Sequence, residues 1–332
     1  MIDFYQQMAT ELAQGAVVLA TVTQVIGSAP RELGAKMLVC PGGKLIGTIG
    51  GGAGEARACD HALRVLVSGE KQFVEIDLSG NPQRETQGVC GGRMQVWLER
   101  WPQESLPLVR QILQSLESHQ AAALVTPFQA GASPYLLPST PVASIQVTDE
   151  SLIEPLTAPP TLLIVGAGHV AVPLACMAQM AGFQVIVTDD RPEFATSERF
   201  SAEITVLAAP ITQALNSIPP QHQLYAALVT RGYLHDLEPL QLLLQRSTRY
   251  IGMIGSRKRV QRVQQALLEA GYPPAQLDQL YAPIGLDIGA LTPEEIAISI
   301  CAELIQVRRG GSGNPLSQRS RPQLADQSDP GL

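Results

Sequence analysis

Halfway along this 332-residue chain the apolar run Leu162-Leu163-Ile164-Val165 feeds directly into Gly166-Ala167-Gly168-His169-Val170-Ala171. A short buried strand, a glycine turn and a helix start, in that order, form the opening βαβ unit of a Rossmann-type sheet. The first glycine permits the tight turn and the second lets the backbone approach a pyrophosphate. The small third residue, here Ala171, lets helix and strand pack closely. An acid at the end of the second strand, about 20 residues on, meets ribose hydroxyls in such units. Asp189 and Asp190 stand there, after Gln184-Val185-Ile186-Val187-Thr188. His169 falls at the helix start, beside any bound phosphate. Because the unit opens in mid-chain, the first half must be a second module.

The rest of the second half alternates strand and helix patterns. Strands are expected at Leu162–Val165, Gln184–Thr188, Ile204–Leu207, Tyr225–Val229 and Tyr250–Ile254, with room for helices between them. That spacing predicts a parallel sheet with right-handed crossovers. Thr292-Pro293-Glu294-Glu295 is a capping box with proline at the first helical position, and Ile296, Ile300, Leu304 and Val307 follow on one face. Two further segments end strands at the carboxyl edge, where open α/β sheets bind ligands: Thr230-Arg231-Gly232-Tyr233 and Gly252-Met253-Ile254-Gly255-Ser256-Arg257.

The first half reads as mixed α/β. Ala16–Val25 is rich in branched residues, and two strand-like runs flank Pro41-Gly42-Gly43 as a hairpin. Glu55–Ser68 has a helical stripe, Phe73–Leu78 alternates, Arg93–Glu99 is a strand and Leu106–Leu116 a helix. Prolines then crowd the stretch 128–160, which reads as irregular structure ending in a linker. The fold class is therefore α/β, with an N-terminal mixed α/β domain over 1–156, a C-terminal Rossmann-like parallel sheet over 157–310 and a disordered tail over 311–332.

Three glycine-rich loops in the first half bear on chemistry. Gly50-Gly51-Gly52-Ala53-Gly54-Glu55 leads into a helix, where exposed amides can meet an anion. Gly27-Ser28-Ala29-Pro30-Arg31 adds a guanidinium suited to phosphate. Gly88-Val89-Cys90-Gly91-Gly92-Arg93 sets a thiol in flexible backbone beside a cation, a setting for sulfur transfer or a soft metal. Against these stand plainer readings: glycine runs make turns, and a lone cysteine is a small buried hydrophobe. Cys40, Cys59, Cys176 and Cys301 sit in strand or helix patterns and read as packing residues.

A net charge of −7 argues against nucleic acid, which needs a clustered basic surface. No apolar stretch is long enough for a membrane helix, the N-terminus lacks a signal pattern, and five cysteines without a C-x-x-C pair fit reduced thiols in the cytoplasm. No Ser-His-Asp order, H-E-x-x-H or Walker lysine is present.

Taken together the chain resembles the XdhC/CoxI family, accessory proteins of xanthine dehydrogenase and related molybdenum hydroxylases. The likeness rests on Gly-Ser-Ala-Pro-Arg at 27–31, Gly-Thr-Ile-Gly-Gly-Gly at 47–52 with Glu55, Cys-Gly-Gly-Arg at 90–93 and Val-Gly-Ala-Gly-His-Val at 165–170. It continues through Asp-Asp-Arg-Pro-Glu-Phe at 189–194, Thr-Arg-Gly-Tyr-Leu-His-Asp-Leu-Glu at 230–238, Tyr-Ile-Gly-Met-Ile-Gly-Ser-Arg at 250–257 and the long block at 283–297. The resemblance implies a carrier rather than a turnover enzyme. It would bind molybdenum cofactor (molybdopterin), assist its sulfuration and deliver it to an apo molybdenum hydroxylase, with a cysteine desulfurase as second partner; a homodimer is compatible.

On this reading Arg31, Gly50, Gly51, Gly52 and Glu55 meet the cofactor, and Cys90 faces the metal or its sulfur, in one cavity shared with His169 and the Rossmann rim. Some branches of the family carry a thiol in the loop before the first helix; here that loop reads Gly52-Ala53-Gly54-Glu55, which leaves Cys90 as the loop cysteine. The alternative is an NAD(P)-binding oxidoreductase. Gly166, Gly168 and His169 would then hold the phosphates and Asp189 the ribose, with a substrate near Arg231 or Ser256; Arg257 is counted with the cofactor-binding residues.

Overall fold

The computed structural model describes residues 1–78, 91–138, 142 and 144–317. The tail expected from sequence lies outside the described residues from 318 onward. The chain divides into two compact units, Met1–Ala158 and Pro159–Leu332.

The first unit opens with helix α1 (Ile2–Leu12), followed by β1 (Val17–Ile26), β2 (Lys36–Val39), β3 (Leu45–Gly47), α2 (Gly52–Ser68), β4 (Gln72–Asp77), β5 (Arg93–Trp101) and α3 (Leu106–Glu117). Among the described residues the strands pair antiparallel in the order β3-β2-β1-β5-β4. The Pro41-Gly42-Gly43 turn joins β2 to β3 as the sequence predicts. Strand β1 is central and buried on both faces, which is why it reads as a continuous apolar run. Val18, Ala20 and Val22 pack with Ala58, Ala62 and Val65 of α2. Val17 and Leu19 point the other way, to Tyr5, Met8 and Leu12 of α1 and Val109, Ile112 and Leu116 of α3. Each Val, Leu, Ile and Met side chain among these contributes about 1.5–3 kcal/mol by leaving water.

The stretch expected to be irregular is instead part of a second antiparallel sheet. Strands β6 (Ala122–Pro127), β7 (Tyr135–Pro138), β8 (Gln146–Val147) and β9 (Ser151–Leu156) pair in the order β7-β6-β9-β8. The prolines that suggested a linker sit where a sheet tolerates them: Pro127 and Pro138 end their strands, and Pro155 lies beyond the short pairing with β8, where among the described residues no strand on that side pairs with it. In β9 every second residue, Leu152, Glu154 and Leu156, is buried. Glu154 is paired there with Lys36.

The second unit runs β10 (Thr161–Val165), α4 (Ala171–Met180), β11 (Gln184–Asp189), β12 (Thr205–Ala208), α5 (Ile211–Asn216), β13 (Leu224–Leu228), α6 (Leu237–Leu244), β14 (Tyr250–Met253), α7 (Arg257–Glu269), α8 (Pro274–Leu277), β15 (Leu280–Tyr281) and α9 (Pro293–Arg309). Among the described residues all its strands are parallel, in the order β12-β11-β10-β13-β14-β15. Strand order reverses between β10 and β13, and that switch point is where such sheets open a ligand crevice. The period of two in β10 sends Leu162 and Ile164 to the α4 and α9 side and Leu163 and Val165 to the α5, α6 and α7 side. Each expected strand of this half is present, and the short β15 adds a further one. The capping box forms, with Thr292 Oγ1 accepting from the Glu295 amide and the Glu295 carboxylate from that of Thr292.

Candidate functional site

The glycine turn after β10 is held from two sides. Gly166 has φ +101°, and a Cβ there would meet the Val229 carbonyl oxygen at 2.9 Å, so both the turn and the approach to β13 require glycine. The Ala167 amide donates to Asp189 Oδ2 at 2.7 Å, while its carbonyl accepts from the Arg199 guanidinium at 2.7 Å. Gly168 differs: a Cβ there would meet nothing within 4 Å. Helix α4 begins just beyond it without a side-chain cap, and His169 is exposed. Open space above the second glycine and uncapped amides behind it leave room for an anion.

Asp189 is 6% exposed and already occupied. Its Oδ1 accepts from the Arg191 amide at 3.0 Å and Nε at 2.9 Å; its Oδ2 accepts from Arg191 Nη2 at 2.9 Å besides the Ala167 amide. Burial pushes the carboxyl up, but the Arg191 guanidinium and the two amides reverse this and hold it well below the usual carboxylate range. Arg191 in turn lies over the Phe194 ring, 3.9 Å from its centroid. Four donors on two oxygens leave Asp189 little capacity for a ribose diol. Asp190, with 62% of its side chain exposed, is the solvent-facing acid of the pair.

A cavity of about 140 Å³ lies at the carboxyl ends of β10, β11, β12 and β13. Of the residues singled out by sequence, Gly166, Asp189, Asp190, Thr230 and Arg231 line it. Leu234, His235 and Glu238 complete its working surface, with Pro210, Ile211 and Pro239 as apolar wall. Arg231 Nε donates to His235 Nε2 at 2.8 Å, and its Nη2 lies 3.6 Å from Asp190 Oδ2. Below it a buried network fixes the loop. Asp236, 0% exposed, accepts from Arg259 Nε and Nη2 at 2.7 Å each and from Thr230 Oγ1 at 2.5 Å.

Ser256 and Arg257 do not line this cavity. Ser256 caps α7, accepting from the Arg259 amide at 3.3 Å, and Arg257 is exposed at the helix start. A larger cavity, about 640 Å³, sits at the opposite, amino edge of β14 and β15 beside Arg249 and Gln279.

In the first unit the glycine loops converge. A Cβ on Gly92 would lie 2.3 Å from the Ser28 carbonyl oxygen, and one on Gly50 would lie 2.3 Å from Pro30 Cγ. The Gly27–Arg31 segment therefore touches both other loops, and Arg31 is exposed beside them. The amides offered to an anion are largely used: Gly50 N donates to Thr48 Oγ1 at 3.0 Å and Gly51 N to Glu55 Oε2 at 3.1 Å. Glu55 Oε2 also accepts from the Ile49 amide at 3.2 Å and Thr48 Oγ1 at 2.6 Å. Glu55 thus serves as the internal tie of this loop, a role its place in the first turn of α2 signals. Gly52 borders open space.

Cys90, expected to carry both sulfur chemistry and metal contact, lies outside the described residues; its neighbours Gly91 and Gly92 close the β4–β5 hairpin through Gly91 N to Leu78 O at 2.9 Å and Leu78 N to Gly92 O at 2.8 Å. The other cysteines are no substitute. Burial pushes the Cys40 thiol up to about 11 and raises Cys59 and Cys301, against what a thiolate needs. Cys176, expected to be a packing residue, is exposed on the outer side of α4. Among the described residues no three His, Cys, Asp or Glu side chains converge as a metal site, and no helix is long and apolar enough to cross a membrane.

A Rossmann sheet with an occupied strand-end acid, in one chain with an antiparallel α/β unit whose glycine loops converge, defines an α/β protein of two modules. A family model for the XdhC Rossmann domain matches residues 162–304, and one for the XdhC and CoxI family matches residues 12–77. The chain is 32% identical to a probable xanthine dehydrogenase subunit from Bacillus subtilis, over 89% of this chain and 94% of that protein. It is 27% identical to the molybdenum cofactor insertion chaperone PaoD of Escherichia coli, over 88% of this chain and 83% of that one. A crystal structure described as a xanthine dehydrogenase from Bacillus halodurans shares the fold with a TM-score of 0.75 and 28% identity, covering 97% of this chain and 98% of the other. The chain belongs to the XdhC/CoxI family.

Proposed function

We propose that this protein is an accessory carrier that binds molybdenum cofactor and assists its insertion into a xanthine dehydrogenase-type molybdenum hydroxylase. The observation that carries the reading is the near full-length relationship to a protein named as a molybdenum cofactor insertion chaperone. The cofactor is cargo; its metal and dithiolene supply the client's chemistry, while this chain binds and protects.

The residues fit such a cargo in two respects. Gly168 and the uncapped start of α4 leave backbone donors and free space for a phosphate. The crevice beside them pairs an apolar wall with Asp190 and Arg231, as a polar ring system requires. Sulfuration is assigned to Cys90, the loop thiol flanked by glycine and Arg93, with a cysteine desulfurase as donor of sulfur.

NAD(P) oxidoreduction is the weaker reading. Its ribose acceptor, Asp189, is consumed by Arg191 and the Ala167 amide, and the 140 Å³ crevice is small for a dinucleotide beside the roughly 300–1,000 Å³ of ordinary ligand pockets. The test is to purify the full chain from cells making the cofactor, assay bound pterin and molybdenum, and add it to apo-client. Cofactor retention with client activation is expected. Neither pterin nor molybdenum, and no activation, would overturn the proposal. Cys90→Ser is expected to retain cofactor and to lower activation; unchanged activation removes the sulfur role alone.

A further inference from the structure

The crevice holds a recognition pair that the family resemblance does not assign. Asp190 and Arg231 sit on the ends of different strands, β11 and β13, yet their charged groups lie 3.6 Å apart at the mouth of one cavity. Both are accessible, with 62% and 45% of their side chains exposed. Neither is committed as Asp189 is. Among the described residues Asp190's ion pair with Arg231 is long, and Arg231 commits only Nε to a hydrogen bond, with His235. Behind Arg231 the Thr230–Asp236–Arg259 network fixes the backbone, so the guanidinium is presented from a rigid base. The facing wall is apolar, and Leu234 stands 80% exposed at its rim, an apolar surface left for a ligand to cover.

A carboxylate beside a guanidinium presents two acceptor oxygens next to N–H donors. Its complement is a ring edge with two adjacent N–H groups and a neighbouring carbonyl. The 2-amino-4-oxopyrimidine edge of pterins and of guanine has that order, ring N–H and amino group to the carboxylate, carbonyl to the guanidinium. Adenine offers one amino donor and a bare ring nitrogen, and leaves one Asp190 oxygen unmatched. The formal charges lining the cavity agree: Asp189, Asp190 and Glu238 against Arg191 and Arg231 suit a neutral ring with donor groups better than a phosphate. A volume of about 140 Å³ suits a ring system rather than a whole dinucleotide.

We infer that the β11–β13 crevice is a base-reading subsite for a 2-amino-4-oxopyrimidine ring, held by Asp190 and Arg231 and covered by Leu234. This deepens the carrier reading above, since a pterin is the organic part of its cargo.

The test titrates full-length protein with pterin (2-amino-4-oxopteridine), followed by its own fluorescence, with GMP and AMP as competitors. Pterin or GMP should bind at least about tenfold tighter than AMP, and Asp190→Asn should weaken them by about ten- to a hundredfold while leaving AMP within about twofold. Asp190 is exposed, so this variant folds. GMP tighter than pterin upholds the edge and assigns it to a guanine nucleotide; pterin tighter assigns it to the cofactor. AMP binding as tightly as either, or Asp190→Asn without effect, overturns the inference. Cofactor retained equally by wild type and Asp190→Asn sinks the subsite and spares the carrier reading. Pterin binding in a protein that never retains cofactor does the reverse.

Discussion

Asp189 and Arg191, two residues apart at the end of β11, form a bidentate pair: Nε to Oδ1 and Nη2 to Oδ2, each at 2.9 Å. The same carboxylate takes the Ala167 amide at 2.7 Å, so the pair is also the clasp of the glycine turn. An acid that the motif assigns to ribose has become a structural tie between the first and second strands.

The clasp predicts a pH signature. The folded-state carboxyl lies below its unfolded value of about 3.9, so its contribution is complete above that pH and is lost as pH falls toward the folded value. Asp189→Asn should cost about 2–4 kcal/mol at neutral pH, and the gap to wild type should narrow below about pH 4. Urea unfolding at a series of pH values reads this; a gap constant from pH 7 to 3 would refute it.

The two glycines of the turn should separate. Gly166→Ala places a methyl against the Val229 carbonyl at positive φ and should cost about 2–4 kcal/mol. Gly168→Ala meets nothing and should leave stability within about 1 kcal/mol while weakening ligand binding. Thermal melts paired with an assay of bound molybdenum cofactor, whose phosphate Gly168 would meet, distinguish the two effects.

Removing the fully buried Asp236 carboxylate strands Arg259 and Thr230. Asp236→Ala should cost about 3–5 kcal/mol. Asp236→Ala with Arg259→Met should cost less than the sum of the single changes, as a double-mutant cycle of chemical denaturation would show.

Glu55→Ala frees the Ile49 and Gly51 amides and the Thr48 hydroxyl together. Hydrogen exchange at residues 48–52 should accelerate, with a stability loss of about 1–3 kcal/mol. Unchanged exchange there would show that the loop is shaped without this carboxylate.

The Rossmann half is largely legible in the sequence because local pattern and global fold agree there. Buried parallel strands are short apolar runs, and the Thr292 capping box marks its helix with little ambiguity. The second sheet of the first unit is hidden because Pro127, Pro138 and Pro155 signal a break, and only pairing shows that each sits at a strand end or on a side unpaired among the described residues. The role of Asp189 is hidden for a similar reason. Sequence places an acid at the strand end, but whether Arg191 folds back onto it depends on the Phe194 platform and the turn beneath. The Asp190–Arg231 pair joins residues far apart in sequence. Its signal is an ionisable residue just past each of the two strands that flank β10, and only the strand order brings the two together.

Glu55 already sits among the amides that an incoming phosphate would seek. Occupancy of that nest by an outside anion is therefore an exchange, in which one negative group must leave before another settles. Affinity measured there will be lower than the donor geometry suggests. Removing the resident carboxylate should trade a sturdier loop for a more receptive one.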